Sequence, residues 1–203
     1  MFKDKKRGVT PFEDIVKAGT PLCELGQYQA LPIDYEHSSY IPLPLLPPSL
    51  VGDDIGARIS TFAMTNIVPF EPAVATLWKR AIAKASTYLS TSCLSVSKAP
   101  EIYILSGTTV NDAKVNVIGN GVTVPDMIWM SACCIQSDTV SSFAIFVYNT
   151  YDQTPSLVTV SAMQELLKVE FSKGAQSVAP DFRLYPGEDD RCHQMASKVS
   201  FPI

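Results

Sequence analysis

The chain has 203 residues and a formal net charge of −4, from 16 Lys and Arg against 20 Asp and Glu. Its 46% hydrophobic and 18% charged residues can build a core, which excludes a disordered chain. The acidity argues against attraction of the whole surface to nucleic acid or anionic lipid. No apolar run reaches the roughly 18–20 residues of a membrane-spanning helix, and prolines break the charge-poor stretch from Tyr40 to Val51, so no transmembrane segment is expected.

The basic start, Met1 to Gly8, leads into no apolar stretch, so no secretory signal is expected there. Phe12 to Val16 suits a short helix. Residues 1–57 are rich in proline and poor in periodicity. The run Ile41-Pro42-Leu43-Pro44-Leu45-Leu46-Pro47-Pro48 reads as extended chain, because proline fixes φ and has no N–H to donate. This zone is expected to form an extended arm. Residues 58–172 hold the regular elements and are expected to form the core. Residues 173–203, with Pro180, Pro186, Gly187 and Pro202, read as an irregular tail.

Within the core, Ile59 to Val68 is apolar and β-branched and predicts a strand. Glu71-Pro72 opens a helix, since proline suits a first turn. Val74, Leu77, Trp78, Ala81, Ile82, Ala85, Tyr88 and Leu89 follow at the helical spacing, an amphipathic stripe with Lys79, Arg80 and Lys84 on the wet side. Strands are predicted at Glu101–Ser106, Val115–Ile118, Met127–Cys134, Ser142–Tyr148 and Val158–Val160, with a turn at Gly119-Asn120-Gly121. Ala162 to Val169 predicts a last helix. Strands in series around one long helix indicate an α+β fold with a mainly antiparallel sheet.

The five cysteines are Cys23, Cys93, Cys133, Cys134 and Cys192. No C-x-x-C pair occurs, so a zinc site lacks its usual scaffold. Adjacent Cys133 and Cys134 point to opposite faces if their segment is a strand. Reduced thiols acting as small apolar side chains are the expected state, with one or two disulfides in a secreted protein as the alternative.

Several segments, in order, resemble the DNA/RNA non-specific endonucleases, the ββα-metal (His-Me finger) family that includes mitochondrial endonuclease G. They are Gln29-Ala-Leu-Pro-Ile-Asp-Tyr-Glu-His-Ser-Ser-Tyr40, Thr61-Phe-Ala-Met-Thr-Asn-Ile-Val-Pro69, Trp78 inside a helix, Glu101–Thr108, Val115–Pro125 and Ile128–Met130. The resemblance covers about residues 29–171. It implies a ββα-metal core and metal-assisted phosphodiester cleavage. In that chemistry the histidine of a D-R-G-H motif activates water, and a helix asparagine holds one Mg²⁺.

This chain departs from the pattern where the chemistry resides. Ile41, Pro42, Leu43 and Pro44 stand where D-R-G-H is expected, so the base position falls on Pro44. The metal-holding asparagine aligns near Ala75, in an uncertain register, and the glutamate usual four residues past the tryptophan becomes Ile82. No catalytic residue, metal ligand or cofactor is therefore expected. Asn66 is kept, and a structural role in its turn is the better reading. His37, just before the lost motif, is the one candidate for a rebuilt base. His193, in Gly187–His193, reads as part of a solvated acidic tail rather than a metal ligand. Lys79, Arg80 and Lys84 read as a solvated face, with a phosphate-contacting patch as the alternative.

The expected function is that of a catalytically inactive pseudo-nuclease serving as a structural or accessory subunit of a protein assembly. The arm (Phe12, Leu22, Leu25, Tyr28, Leu43, Leu45, Leu46) and the tail (Phe182, Leu184, Tyr185, Phe201, Ile203) are expected to anchor it to protein partners, the alternative being that they wrap their own core. The family resemblance and the reduced-looking cysteines point to a mitochondrial respiratory or energy-transducing complex, with cytoplasmic and secreted locations as alternatives. The alternative functions are a nuclease rebuilt around His37 and a non-catalytic nucleic-acid binder.

Overall fold

The computed structural model describes residues 29–94, 101–136, 140–173, 179, 181–186, 191–194 and 203. The helix expected at Phe12–Val16, and the anchors Phe12, Leu22, Leu25, Tyr28 and Phe201, lie outside the described residues. The centre is a four-stranded antiparallel sheet in the order β3 (Glu101–Thr109), β6 (Met127–Ile135), β7 (Val140–Tyr148), β8 (Ser156–Val158). A hairpin, β4 (Asn116–Ile118) with β5 (Val122–Val124), leaves it between β3 and β6. Its turn is the expected one, and Gly119 (φ 48°) and Gly121 (φ 100°) adopt the left-handed conformations that favour glycine there. Asn120 N–H donates to Asp34 Oδ1 at 2.9 Å, which docks the hairpin on the short helix α1 (Ile33–Glu36).

Both inner strands are buried on both faces, and the pleat sorts their side chains. Ile128, Met130 and Ala132 of β6, with Phe143, Ile145 and Val147 of β7, meet the long helix α3 (Pro72–Leu89). Met127 and Trp129, with Ala144, point the other way onto Val160, Met163 and Leu167 of α4 (Val160–Ser172). The long helix begins where expected. Glu71 caps it by accepting from Val74 N–H at 2.9 Å, Pro72 occupies the first turn, and Val74, Trp78, Ala81, Ile82 and Ala85 are buried.

Four expectations need correction. The strand expected at Ile59–Val68 is mostly not one. The Asp54 carboxylate caps Ala57 N–H at 2.6 Å and starts helix α2 (Ile55–Ser60). A 3₁₀ turn at Met64–Asn66 follows, and only β2 (Ile67–Phe70) is extended. The local cap overrides the β-branched composition. Similarly, Val160 belongs to α4 rather than to a strand, because the Thr159 hydroxyl accepts from Ala162 N–H at 3.0 Å. The described part of the arm does not stand off. Ile41–Pro44 is strand β1, paired with β2, and Leu43, Leu45 and Leu50 pack against the core, as do Phe182, Leu184, Tyr185 and Ile203 of the tail.

The cysteines are the fourth correction. Cys93 pairs with Cys134, and Cys133 with Cys192. The strand does send the adjacent cysteines to opposite faces, and that is why each finds a different partner. Cys134 ties β6 to the π-helical turn Ser90–Leu94 that ends the long helix, and Cys133 ties it to α5 (Arg191–Gln194) on the far side. Among the described residues no helix is long and apolar enough to cross a membrane.

Candidate active site

Strands β1 and β2 run antiparallel with Ile41 opposite Phe70 and Pro44 opposite Ile67, and the chain passes from β2 through Glu71 into α3. Prolines at positions 42, 44 and 69 are tolerated because these two strands form a ribbon of their own, with free edges. Asn66 holds the long excursion between them closed. Its Nδ2 donates to Leu46 O (2.9 Å) and Thr61 O (2.7 Å), and its Oδ1 accepts from Leu46 N–H (3.1 Å). The structural reading of this residue is correct. Tyr35 steadies β2 through a 3.2 Å bond from its hydroxyl to Ile67 O. Burial, and then the neighbouring Asp34 charge, push that hydroxyl up to about 12, so it stays protonated at neutral pH.

Asn149 was not legible as a key residue in the sequence, where it merely follows the strand predicted to end at Tyr148. Its buried amide donates to Pro69 O (2.9 Å) and Pro125 O (3.1 Å) and accepts from Glu71 N–H (2.8 Å). One side chain thereby fixes β2, the start of α3 and the approach to β6 together.

Between β1 and α3 lies a cleft of about 340 Å³, lined by Leu43, Pro44, Pro47, Ser49, Trp78, Lys79, Ile82, Ala83 and Ser86. The residues aligned with the base and the acidic helix position, Pro44 and Ile82, therefore do come together. Ala75 sits one turn before Lys79 on α3 and is buried, and a shift of one residue in alignment meets either buried Val74 or exposed Thr76, whose hydroxyl donates to Pro72 O at 3.4 Å. Ile41 and Pro42 are exposed at the outer end of β1, and Leu43 turns to the core.

The chemistry of this wall is limited. Lys79 is its one ionisable group, and its hydroxyls are those of Ser49 and Ser86, the latter donating to Ser49 O at 3.2 Å. Mg²⁺ asks for carboxylate or carbonyl oxygen in near-octahedral array, and an ammonium group repels it. The donor set does not fit the metal that the fold family uses. No histidine or carboxylate stands among the lining side chains to take a proton from water. His37 follows α1, is exposed, and is absent from the cleft wall. His193 lies on α5 with its ring 6.5 Å from that of Tyr185, on the opposite side of the sheet. Among the described residues no three His, Cys, Asp or Glu side chains converge as a metal site.

A two-stranded ribbon leading into a long helix, packed on an antiparallel sheet, is the arrangement of the ββα-metal fold, and the fold of this chain is similar to that of endonuclease G. No family model matches it. It is 33% identical over 119 residues to a human protein named "Endonuclease domain-containing 1 protein", the match covering 58% of this chain and 22% of that protein. The chain thus corresponds to about a fifth of that relative's length. A chain in the crystal structure of the EndoG/EndoGI complex, described as showing the mechanism of EndoG inhibition, superposes with a TM-score of 0.51 at 18% identity, covering 67% of this chain and 60% of that one. This second likeness concerns the fold.

Proposed function

We propose that this protein is a pseudo-nuclease, a ββα-metal fold that no longer cuts phosphodiesters and serves as a binding or accessory component of a protein assembly. The observation that carries the reading is the cleft between β1 and α3. Where the fold places its hydrolytic groups, this chain presents leucine, prolines, tryptophan, isoleucine and one lysine. Removal of a general base or of an electrostatic stabiliser costs on the order of 10²–10⁴ in rate each, and here both kinds of group are missing from the wall. The exposed apolar side chains Ile55, Ile59 and Phe62 on the excursion between β1 and β2 support an interaction role.

The location we propose is an oxidising compartment, luminal or extracellular, because two disulfides in one chain persist poorly against cytosolic thiols. The mitochondrial expectation leaned on reduced cysteines and loses that support.

The test is incubation of the purified chain with plasmid DNA and RNA in Mg²⁺ beside an active endonuclease of this fold. The expected result is no cleavage above buffer. Cleavage that survives repurification and disappears in His37→Ala would overturn the proposal.

A further inference from the structure

We propose that this chain forms a reciprocal two-fold dimer in which an apolar ridge on one copy, Ile55, Ile59 and Phe62, fills the cleft between β1 and α3 of the other. The ridge is built by α2 and the turn that follows it. Phe62 N–H donates to Ile59 O at 3.1 Å, so the helical course continues past Ser60, and side chains at i, i+4 and i+7 share one face. That face looks outward, with Ile55 74% exposed, Ile59 44% and Phe62 49%. A single exposed apolar side chain needs no explanation, but three in one row form a contiguous patch of the kind that marks an interaction site.

Size and charge identify a second copy as the occupant. The cleft, about 340 Å³, has room for on the order of ten non-hydrogen atoms at roughly 30 Å³ each, the share of one liquid water. That is the size of the Ile59 and Phe62 side chains together, and Leu43, Pro44, Pro47 and Ile82 offer them apolar surface to cover. Asp53 and Asp54 stand at the start of the ridge. Lys79 lies on the cleft wall with Arg80 and Lys84 beside it on α3, and no Asp or Glu occurs between Glu71 and Glu101 to offset them. Asp53, Lys79, Arg80 and Lys84 are exposed and make no ion pair with any described residue. Each set of charges therefore lacks, within one chain, the partner that the other set supplies between two. Ridge and cleft are also neighbours. Ile55 comes six residues after Ser49 of the cleft wall, at most about 20 Å along the chain, so one two-fold axis can close both contacts at once.

The proposal rests on the reading that the cleft is a binding surface and not a nuclease site, yet the two fail separately. A chain that stays monomeric and cuts nothing overturns the dimer alone. A chain that dimerises and cuts plasmid DNA overturns the pseudo-nuclease alone.

The experiment is sedimentation equilibrium of the full oxidised chain, loaded from about 1 μM to about 1 mM, the span of weak association. The mass is expected to rise from 22.1 kDa to twice that, and the dissociation constant to increase with salt as the exposed charges are screened. Phe62→Asp on the ridge and Ala83→Phe at an exposed position of the cleft wall should each abolish association in a chain whose circular dichroism is unchanged. Lys79→Glu and Asp53→Lys should each weaken the dimer about tenfold or more, since like charges then meet. The double variant should regain it, because the exchanged charges pair again only if the partner is a second copy. A wild-type chain that is monomeric up to about 1 mM overturns the proposal. So does a dimer undiminished in folded Phe62→Asp or folded Ala83→Phe, or a double variant no tighter than the single ones.

Discussion

The two faces of the central sheet are built by different means. Against α3 the contact is apolar, with Phe70, Trp78, Ile82, Phe143 and Ile145 in one cluster and Tyr88 meeting Phe143 edge-on at 5.7 Å. Against α4 and the tail, polar groups are threaded through the packing. The Tyr185 hydroxyl donates to Ser131 Oγ at 3.0 Å, the Tyr148 hydroxyl donates to the buried Glu170 at 2.8 Å, and Lys173 pairs with the same carboxylate at 2.7 Å. Apolar packing is non-directional and tolerates substitution as long as volume is kept, whereas a buried polar network is specific but fails when one member is lost. The face that carries the ββα unit is thus the one better able to keep its architecture through volume-conserving substitutions.

The largest test of this contrast is Trp78→Ala, which should lower the stability by about 3–5 kcal/mol, as large-to-small changes in an apolar core do, measured by urea denaturation. A loss below about 1 kcal/mol would mean that the α3 face is not the main source of cohesion. Next come the disulfides, one per face. Replacing Cys93 and Cys134 together by alanine, or Cys133 and Cys192 together, should each cost about 2–4 kcal/mol. Peptide mapping of the oxidised wild-type chain should recover those two pairs. A Cys93–Cys133 peptide would contradict the assignment of the faces.

Smaller again is Tyr185→Phe, expected to cost about 1 kcal/mol, because Ser131 Oγ keeps its own 3.1 Å bond to Phe143 O. A cost as great as that of Trp78→Ala would make the polar network the dominant cohesion instead.

The finest distinction is in alkali. Burial, reinforced by the bond to Glu170 and its charge, pushes the Tyr148 hydroxyl from 10.0 up to about 12. A raised pKa in the fold means that this contribution is complete below the unfolded value and fades as pH climbs from 10.0 towards about 12. Tyr35 adds a similar slope beside the ββα unit. Tyr148→Phe should therefore flatten the decline of the urea midpoint over that window only in part, and the double change with Tyr35→Phe should flatten it further. An unaltered slope in both variants would remove these tyrosines from the account.

What was readable in the sequence follows the same division. The α3 stripe, the Glu71-Pro72 start, the glycine turn and the inner strands have strong local signals, and each formed where its pattern predicts. That Pro44 and Ile82 meet across one cleft was readable only through the family resemblance that aligned them. The α2 helix was not, since its two isoleucines, Ile55 and Ile59, face solvent and break the rule that apolar periodicity marks burial. Asn149 and the disulfide partners were hidden for another reason. Their partners are distant in sequence, Glu71 lying 78 residues before Asn149 and Cys192 lying 59 after Cys133, and no local pattern encodes such meetings.

The neighbouring cysteines of β6 also act as a parity check on the strand. A shift of one residue in the pairing of β6 would exchange the faces seen by Cys133 and Cys134, offering Cys93 and Cys192 each the wrong sulfur, and would turn Trp129 and Met130 inside out in the same movement. Oxidation in the correct combination therefore records that the sheet closed in its proper alignment. Oxidation before that point seals the error into the chain, so correct maturation favours a setting in which thiol exchange continues until the strands have settled.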